Sequence, residues 1–237
     1  MTRRFYDRLA ADYHRIYADW DASVRRQGEA LHRLLGGERQ QVLDCACGIG
    51  TQAVGLAALG HAVTGTDLSP AALARVAGVP VAAADMRALP FPDATFDAVV
   101  CADNSLPHLL TAADVRAALA EMRRVLRTGG RLILSTRDYD EARRTHPAAT
   151  PPSVHEGPDG RTITFQLWHW HPDGERYDVE LFQLRPSLRA EVYTTTYWAI
   201  TRAELSNLTK DAGFHQPTWR PLTDTGFHQP ILTARTD

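Results

Sequence analysis

Acidic residues follow the first predicted strands at points where they could hold a charged ligand. Asp44 begins a glycine-rich segment, 44–50, directly after an apolar run, and Asp67 and Asp85 each end a later short run. Glycines let a ligand approach the backbone closely, and a carboxylate stabilises a neighbouring cation or accepts hydrogen bonds from a ribose diol. The spacing therefore predicts a nucleoside-containing ligand that carries a positive charge.

Charge distinguishes two ligands that this segment could bind. Gly48, Gly50 and Ala53 also match the fingerprint of dinucleotide-binding proteins. Asp44 would repel a pyrophosphate but attract an ammonium or a sulfonium, and both of these groups occur in S-adenosylmethionine. A nicotinamide oxidoreductase is disfavoured further because Lys210, the sole lysine, belongs to no Tyr-x-x-x-Lys pair. The predicted cofactor is S-adenosylmethionine, which becomes S-adenosylhomocysteine.

The elements that must position these acids alternate between strand and helix. Apolar runs predict strands at 41–47, 61–66, 80–84, 96–102 and 131–136. Capping residues and periodicity predict helices at 51–59, 70–77 and 111–127. The pair Gly129-Gly130 is predicted to end the third helix. Parallel strands need helical crossovers, so this order predicts an α/β fold with a doubly wound sheet. Ligands of such sheets bind at the carboxyl ends of the strands, where the acids lie.

A different pattern begins after residue 139. Three β-rich runs at 161–170, 176–185 and 189–200 predict a small antiparallel β insert, followed by a helix at 201–212 and strands at 214–220 and 229–235. We expect one domain over residues 1–237. Its predicted parts are an N-terminal helical lid (1–38), a cofactor-binding core (40–137), the insert over the substrate pocket (161–200) and a closing helix with strands (201–237).

Composition excludes several classes of function. Of the 237 residues, 44% are apolar and 23% charged, the net charge is −2, and no apolar run approaches the roughly 20 residues of a membrane helix. A near-neutral chain is not drawn to nucleic acid. The three cysteines form no CxxC pair, no HExxH occurs, and the first residues lack an apolar targeting segment. We expect a cytoplasmic protein with a small-molecule partner and no metal, nucleic acid or membrane; the oligomeric state stays open.

Several segments together resemble motifs of the class I S-adenosylmethionine-dependent methyltransferases. They are the segment 42–50, the pairs Phe91-Pro92 and Phe96-Asp97, and Leu126-x-x-Gly129-Gly130. The resemblance implies a Rossmann-like sheet of seven strands, mostly parallel with an antiparallel last strand. Asp44 and the glycine loop would face the methionine part, Asp67 the ribose and Asp85 the adenine. The full predicted cofactor-binding set is Tyr17, Arg25, Asp44, Ala46, Gly48, Gly50, Asp67, Leu68, Asp85, Met86 and Ala102.

Two further segments, 101–109 and 137–140, resemble glycine and sarcosine N-methyltransferases, as does the β insert. This resemblance implies that Arg137 binds an amino-acid carboxylate and that Asn104 and His108 line the active site, so these three are the predicted catalytic residues. The chain departs from the family by Asp138, where the relatives carry Asn, and by an aromatic insert. The insert residues predicted to bind substrate are Trp168, Trp170, Tyr193 and Tyr197, and they make a substrate larger than glycine plausible.

Several interpretations stay open at this point. The preferred one is N-methylation of an amino acid or another carboxylate-bearing amine. The aromatic insert also suits C-methylation of an indole-type natural product, with His108 or a tyrosine accepting the released proton. A non-catalytic cofactor-binding regulatory module would have the same acids but no open pocket beside the methyl group. Tyr13, Tyr17 and Trp20 recur at helical spacing and predict either core packing or a lid over the cofactor.

Overall fold

The computed structural model describes residues 2–157, 160–185 and 190–237. Its α-helices are α1 Thr2–Leu9, α2 Trp20–Leu35, α3 Thr51–Ala58, α4 Pro70–Leu73, α5 Ala112–Val125, α6 Tyr139–Thr145, α7 Arg202–Asp211 and α8 Leu222–Thr225. Its strands are β1 Gln41–Cys45, β2 Ala62–Asp67, β3 Val81–Ala83, β4 Phe96–Cys101, β5 Leu126–Ser135, β6 Ser153–Gly157, β7 Gly160–Trp170, β8 Arg176–Leu184, β9 Ala190–Trp198, β10 His215–Arg220 and β11 Ile231–Arg235. Short 3₁₀ helices cover Tyr13–Ile16 and Leu106–His108.

The main sheet has seven strands in the order β10-β11-β5-β4-β1-β2-β3. Strands β1 to β5 run parallel, and β11 is antiparallel to both of its neighbours. In register, Asp44 lies beside Gly65 of β2 and Val100 of β4. The carboxyl ends of β1, β2 and β4 therefore meet at one edge. The predicted Rossmann-like sheet with its antiparallel last strand is confirmed.

Helices cover both faces of this sheet, as the doubly wound fold requires. On one face α2 packs closely on α3, where a Cβ added to Gly28 would lie 2.7 Å from the backbone of Gly55. On the other face α5 packs on α7. Thr111 caps α5 by accepting a hydrogen bond from the backbone of Asp114, as its position in the sequence predicts. Within the described ranges, no helix has the length and apolar character needed to cross a bilayer.

The insert is a separate four-stranded antiparallel sheet in the order β6-β7-β8-β9. The three predicted strands are present, except that Arg189, the first residue of the run 189–200, lies outside the described residues. Tyr177 and Val179 of β8 are buried in the same apolar cluster as Leu132 of β5. The insert consequently packs on the main sheet through one continuous core.

Some element boundaries differ from those that the sequence predicts. The segment 111–127 ends as a helix at Val125, and the chain enters β5 at Leu126 because Leu126 pairs with Phe96. Gly129 therefore lies within the strand, where its amide donates to the Asp237 carbonyl. Helix α4 ends at Leu73 rather than near 77, and α6, α8 and β6 were not predicted. Tertiary pairing overrides local propensity at these places.

Candidate active site

The N-terminal segment 2–17 covers the edge where the strands end. Asp7 of α1 accepts a hydrogen bond from Ser69 (2.6 Å), which follows β2, and Tyr17 donates one to Asp103 (2.8 Å), which follows β4. Trp20 donates to Thr51 at the start of α3 (3.1 Å). Of the predicted lid 1–38, residues 2–17 reach the site, whereas α2 packs on α3 as part of the main layer.

A cavity of about 360 Å³ lies beneath this segment. Its wall includes six of the predicted cofactor-binding residues, namely Ala46, Gly48, Asp67, Leu68, Asp85 and Met86. Thr2, Arg3, Tyr6 and Tyr13 of the N-terminal segment close it from above. The cavity is large enough for a nucleoside-containing ligand, since ligand pockets begin at about 300 Å³.

The glycine loop after β1 is shaped to receive a ligand at its backbone. Gly48 adopts φ +55°, and a Cβ there would lie 3.2 Å from the ring of Tyr13. Ala46 also adopts a positive φ, 66°, a conformation that costs a residue with a side chain about 1 kcal/mol. Asp67 fixes the loop by accepting hydrogen bonds from the amides of Gly48 and Ser69, both 2.8 Å. Its oxygens keep further lone pairs for ribose hydroxyls.

Asp44 is buried, with 1% of its surface exposed. Among the described residues, neither of its carboxylate oxygens has a hydrogen-bond partner. Burial raises the pKa of Asp44 to about 7; the nearby backbone amide of Ala53 lowers it, and the carboxylates of Asp67 and Asp103 contribute smaller raising effects. A buried carboxylate of this kind is unfavourable unless a cation compensates it. The observation fits a ligand whose positive group lies near the end of β1.

Asp85 lies at the other end of the large cavity. Arg87 binds it at 2.6 Å and also binds Asp114 at 2.6 Å. The hydrogen bonds from Arg87 lower the pKa of Asp85. Asp85 is consequently an ionised acceptor at the cavity wall, next to Met86 and Leu68, and 41% of Leu68 is exposed for contact with a planar base.

The remaining predicted cofactor residues lie outside the wall of the large cavity. Gly50 (φ 90°) is the N-cap of α3, and Ala102 is buried directly after β4. Tyr17 is fixed to Asp103, and Arg25 is exposed on α2. Asp44, buried in β1, does not line this cavity either. The structure thus brings Asp67, Asp85 and part of the loop to one cavity, with Asp44 buried behind them and Arg25 away from it.

A second cavity of about 70 Å³ adjoins the first. Tyr6 and Tyr13 line both cavities and so form their shared wall. The other residues around it come from all parts of the chain: Phe5, Leu9, Ile16, Asp103, Asn104, Arg137, Gln166, Val179, Leu181, Tyr197 and Gln229. The N-terminal segment, the strand ends and the insert therefore enclose this space together.

Arg137 supplies the positive charge of the small cavity. Its guanidinium donates to the Tyr177 hydroxyl (3.2 Å) and to the Gln166 carbonyl oxygen (3.0 Å). It also lies over the rings of Trp168 (4.9 Å) and Tyr197 (5.4 Å), which are cation–π distances. No carboxylate of the described residues forms an ion pair with it. Arg137 is therefore a cation held in place by neutral groups.

Two neighbouring residues after β4 face the same small cavity. Asn104 accepts a hydrogen bond from the backbone of Arg137 (3.1 Å), while its Nδ2 is buried and has no partner among the described residues. Asp103 accepts from Tyr17 and from His228 (3.0 Å). Burial opposes its charge, but His228, Tyr17 and the charge of Arg137 hold the pKa of Asp103 below its usual value. A cation, a free amide donor and an anion thus line one small space.

His108 is a neutral imidazole at the boundary of the large cavity. Its Nε2 lies 2.7 Å from the Tyr6 hydroxyl, its Nδ1 lies 3.4 Å from the Thr195 hydroxyl, and its ring lies 4.2 Å from that of Tyr197. Burial lowers the pKa of His108 to about 3, and the charge of Arg137 contributes. An imidazole this weakly basic orients the Tyr6 hydroxyl but accepts a proton poorly.

The predicted substrate-binding aromatics occupy three kinds of position. Tyr197 lines the small cavity, and Trp168 supports Arg137 from behind. Trp170 donates to the Pro147 carbonyl, and Tyr193 contacts Phe5 and Asp12. Neither Trp170 nor Tyr193 lines either cavity, because they lie on parts of the insert that pack on α6 and α1.

Tyr6 and the polar partners of Arg137 were not predicted from the sequence. Tyr6 meets His108 across 102 residues of chain, and Arg137 meets Tyr177 and Gln166 across 40 and 29 residues. The only available signal was the aromatic content of the first turns and of the insert.

Comparisons with known proteins agree with this geometry. A family model described as a methyltransferase domain matches residues 43–134. The glycine/sarcosine N-methyltransferase of Parasynechococcus marenigrum is 38% identical over 132 residues, which cover 52% of this chain and 47% of the relative. A demethylmenaquinone methyltransferase of Mycolicibacterium paratuberculosis is 41% identical over 109 residues, or 45% and 46% of the two chains. The chain spans about half the length of these curated relatives.

The fold of the whole chain is also similar to a solved structure. The S-adenosylmethionine-bound amino pentose methyltransferase CalS10 of Micromonospora echinaspora has a TM-score of 0.76 and 23% identity, over 96% of this chain and 95% of that one. The unpartnered Asp44 carboxylate and the open glycine loop fit the cofactor that such proteins bind. Residues 43–134 are thus similar to a methyltransferase domain, and the fold of nearly the whole chain is similar to that of an S-adenosylmethionine-bound methyltransferase.

Proposed function

We propose that this chain transfers the methyl group of S-adenosylmethionine to the nitrogen of an amino acid or another small amine that carries a carboxylate. The observation that carries the proposal is the Arg137 guanidinium in the small cavity, held by neutral groups beside the unpartnered Nδ2 of Asn104. Arg137 forms no direct ion pair among the described residues, although its charge acts on Asp103 in the same cavity, and a buried guanidinium in this state can bind the carboxylate of a substrate. Two donors directed into one space are suited to the two oxygens of a carboxylate.

The opposite charge in the same cavity supports a zwitterionic substrate. Asp103 is ionised and lines the space with Arg137, and the rest of the wall combines amide and tyrosine side chains with apolar ones such as Leu9 and Val179. The space is small at about 70 Å³, compared with roughly 30 Å³ for one water in the liquid. A compact molecule with one positive and one negative group matches both the charges and the volume.

The chain's own residues would bind and orient this substrate. S-adenosylmethionine, when bound, supplies a methyl group activated by a sulfonium. Arg137 and Asn104 fix the carboxylate, so that the nitrogen faces the shared wall formed by Tyr6 and Tyr13. Phe5 and the other apolar residues of the segment 2–17 exclude water. The ammonium group of the substrate must first lose a proton to solvent. The neutral amine then forms the N–C bond as the S–C bond breaks and S-adenosylhomocysteine leaves. Within that step alignment and desolvation are the main requirements, and neither needs a strong base.

The geometry supports the alternatives less well. C-methylation of an aromatic ring needs a group that accepts the ring proton, and the pKa of about 3 makes His108 a weak base. A non-catalytic module has no need of a second cavity with its own cation beside the cofactor space. The preference for an amine therefore rests on Arg137 together with the neutral His108.

The test is a methyl-transfer assay with matched acceptors. Purified protein and S-adenosylmethionine carrying a labelled methyl group are incubated with glycine, alanine and sarcosine, with their amides, and with indole compounds, and the products are identified by mass spectrometry. We expect kcat/KM for the best acid to exceed that for its amide by about tenfold or more, because the amide offers no charge to Arg137. Equal rates on acid and amide, or preferred methylation of an indole carbon, would overturn the proposal.

A further inference from the structure

A basic cleft of about 360 Å³ lies away from the two cavities described above. It is formed between the C-terminal end of α2 and the strands β5, β11 and β10, and none of the described residues that line it lines either active-site cavity. Four arginines line it: Arg33, Arg131, Arg220 and Arg235. Arg131 and Arg235 lie toward the amino ends of the parallel strands, where Arg131 pairs with Ala98 of β4. Arg220 pairs with Ile231, which pairs with Ser135 at the carboxyl end of β5, so the cleft runs along the length of these strands.

The arginines of this cleft have no carboxylate partners among the described residues. Arg131 donates to the Leu34 carbonyl (3.0 Å) at the end of α2, and Arg33 donates to the Thr225 carbonyl (3.3 Å). Arg220 and Arg235 are exposed. Elsewhere Arg123 and Arg124 at the end of α5 and Arg127 at the start of β5 each bind an aspartate or glutamate. The cleft is therefore an exception to the charge pairing seen on that surface.

Two of these arginines oppose each other directly across the sheet. Arg131 of β5 pairs in register with Arg235 of β11, and Arg235 pairs on its other side with His215 of β10. Like charges in register destabilise a sheet. Burial lowers the pKa of Arg131, and the charge of Arg235 lowers it further, with only a smaller opposing effect from Glu38. The repulsion is present in the fold and would be relieved by a bound anion.

We propose that this cleft binds a small polyanion with two or more phosphate groups through Arg131, Arg220 and Arg235. Guanidinium groups bind phosphate oxygens in a bidentate way, and several cations lining one concave space favour a ligand with several negative charges. No Phe, Tyr or Trp side chain lines the cleft among the described residues, so it offers no surface on which a nucleobase would stack. The phosphates, rather than a base, are the recognised groups.

The experiment is calorimetry of the full chain with inorganic diphosphate, and with orthophosphate at the same ionic strength. We expect saturable binding of diphosphate at about 0.1 mM or below, at least about tenfold tighter than orthophosphate, because the second phosphate adds charged hydrogen bonds. Arg220→Gln/Arg235→Gln should weaken diphosphate binding about tenfold or more and leave S-adenosylmethionine binding unchanged. The control, Arg75→Gln/Arg116→Gln, removes two exposed arginines elsewhere, of which Arg116 pairs with Asp211, and should bind diphosphate like the wild type.

Further readouts separate this proposal from simpler explanations. Without ligand, Arg235→Gln should melt at a slightly higher temperature than the wild type, because it removes the repulsion with Arg131. If the double variant does not fold, Arg220→Gln alone should weaken binding several-fold. The proposal is overturned by the absence of saturable binding at 1 mM diphosphate, by orthophosphate binding as tightly, or by equal weakening in the control. It is also overturned if the cleft mediates self-association that diphosphate does not affect.

Discussion

Replacing Asp44 by Asn removes one buried negative charge and nearly preserves the shape of the side chain. The pKa of Asp44 is about 7 in the fold, against 3.8 for an unperturbed aspartate, so its ionised form disfavours the folded state by about 4 kcal/mol. A buried neutral amide without partners costs about 1–2 kcal/mol. At pH 8 the ligand-free Asp44→Asn protein should therefore be more stable than the wild type by about 2–3 kcal/mol, or about 4–12 °C in Tm.

The sign of the pH dependence follows from the raised pKa. The folded wild type keeps the Asp44 proton to higher pH than the unfolded chain does, so this group lowers stability as the pH rises from about 4 through 7. The advantage of Asp44→Asn should accordingly shrink between pH 8 and pH 5. Asp224→Asn, which removes an exposed carboxylate, is the matched control and should melt like the wild type at both values.

The same substitution should weaken the binding of S-adenosylmethionine. With the carboxylate gone, the cationic part of S-adenosylmethionine loses its partner at the end of β1, and the affinity should fall about 30-fold or more. Thermal melting with and without ligand gives the stability, and calorimetry gives the affinity. An Asp44→Asn protein that is less stable than the wild type without ligand, or that binds S-adenosylmethionine equally well, would refute the reasoning.

The remaining predictions concern three other residues. Asp67→Ala should weaken S-adenosylmethionine binding about 10- to 100-fold in calorimetry, while the wild type should bind no NAD; equal affinities of the two proteins would contradict this. Tyr17→Phe removes the hydroxyl bound to Asp103, and stopped-flow release of S-adenosylhomocysteine should become about tenfold faster; an unchanged rate would show that this bond does not hold the lid. His108 contributes stability that is lost below its unfolded pKa of about 6.5, since its pKa is about 3 in the fold. Urea unfolding should show the advantage of the wild type over His108→Asn falling by about 1–2 kcal/mol from pH 8 to pH 5, and a constant difference would refute it.

The acid series was predictable because it depends on short-range order. Asp44 and Asp67 lie at the carboxyl ends of β1 and β2, and Asp85 lies two residues after β3. The parallel register of the sheet brings such positions to one edge without further information. The pattern of strands and helices fixed the sheet for the same reason. The pattern could not predict where the helix α5 ends and the strand β5 begins. Leu126 belongs to β5 because it pairs with Phe96 of β4.

The wall between the two cavities was not predictable in this way. Tyr6 contacts His108 across 102 residues, and the insert closes on Arg137 through Gln166 and Tyr177. Such contacts depend on how separate layers pack, and they leave no periodic mark in the sequence. The aromatic content of the insert predicted a substrate cage, but Trp168 and Tyr177 are used largely to hold the guanidinium of Arg137.

The most direct test of the central claim compares Arg137→Lys with the wild type on the best carboxylate-bearing amine. Lysine keeps the charge but loses the two-pronged geometry and the bonds to Tyr177 and Gln166. We predict that kcat/KM falls about 30- to 150-fold, equivalent to about 2–3 kcal/mol, while the Kd for S-adenosylmethionine stays within about twofold of the wild type. An Arg137→Lys enzyme with unchanged kcat/KM would contradict the account, because the carboxylate would then be bound elsewhere or not at all.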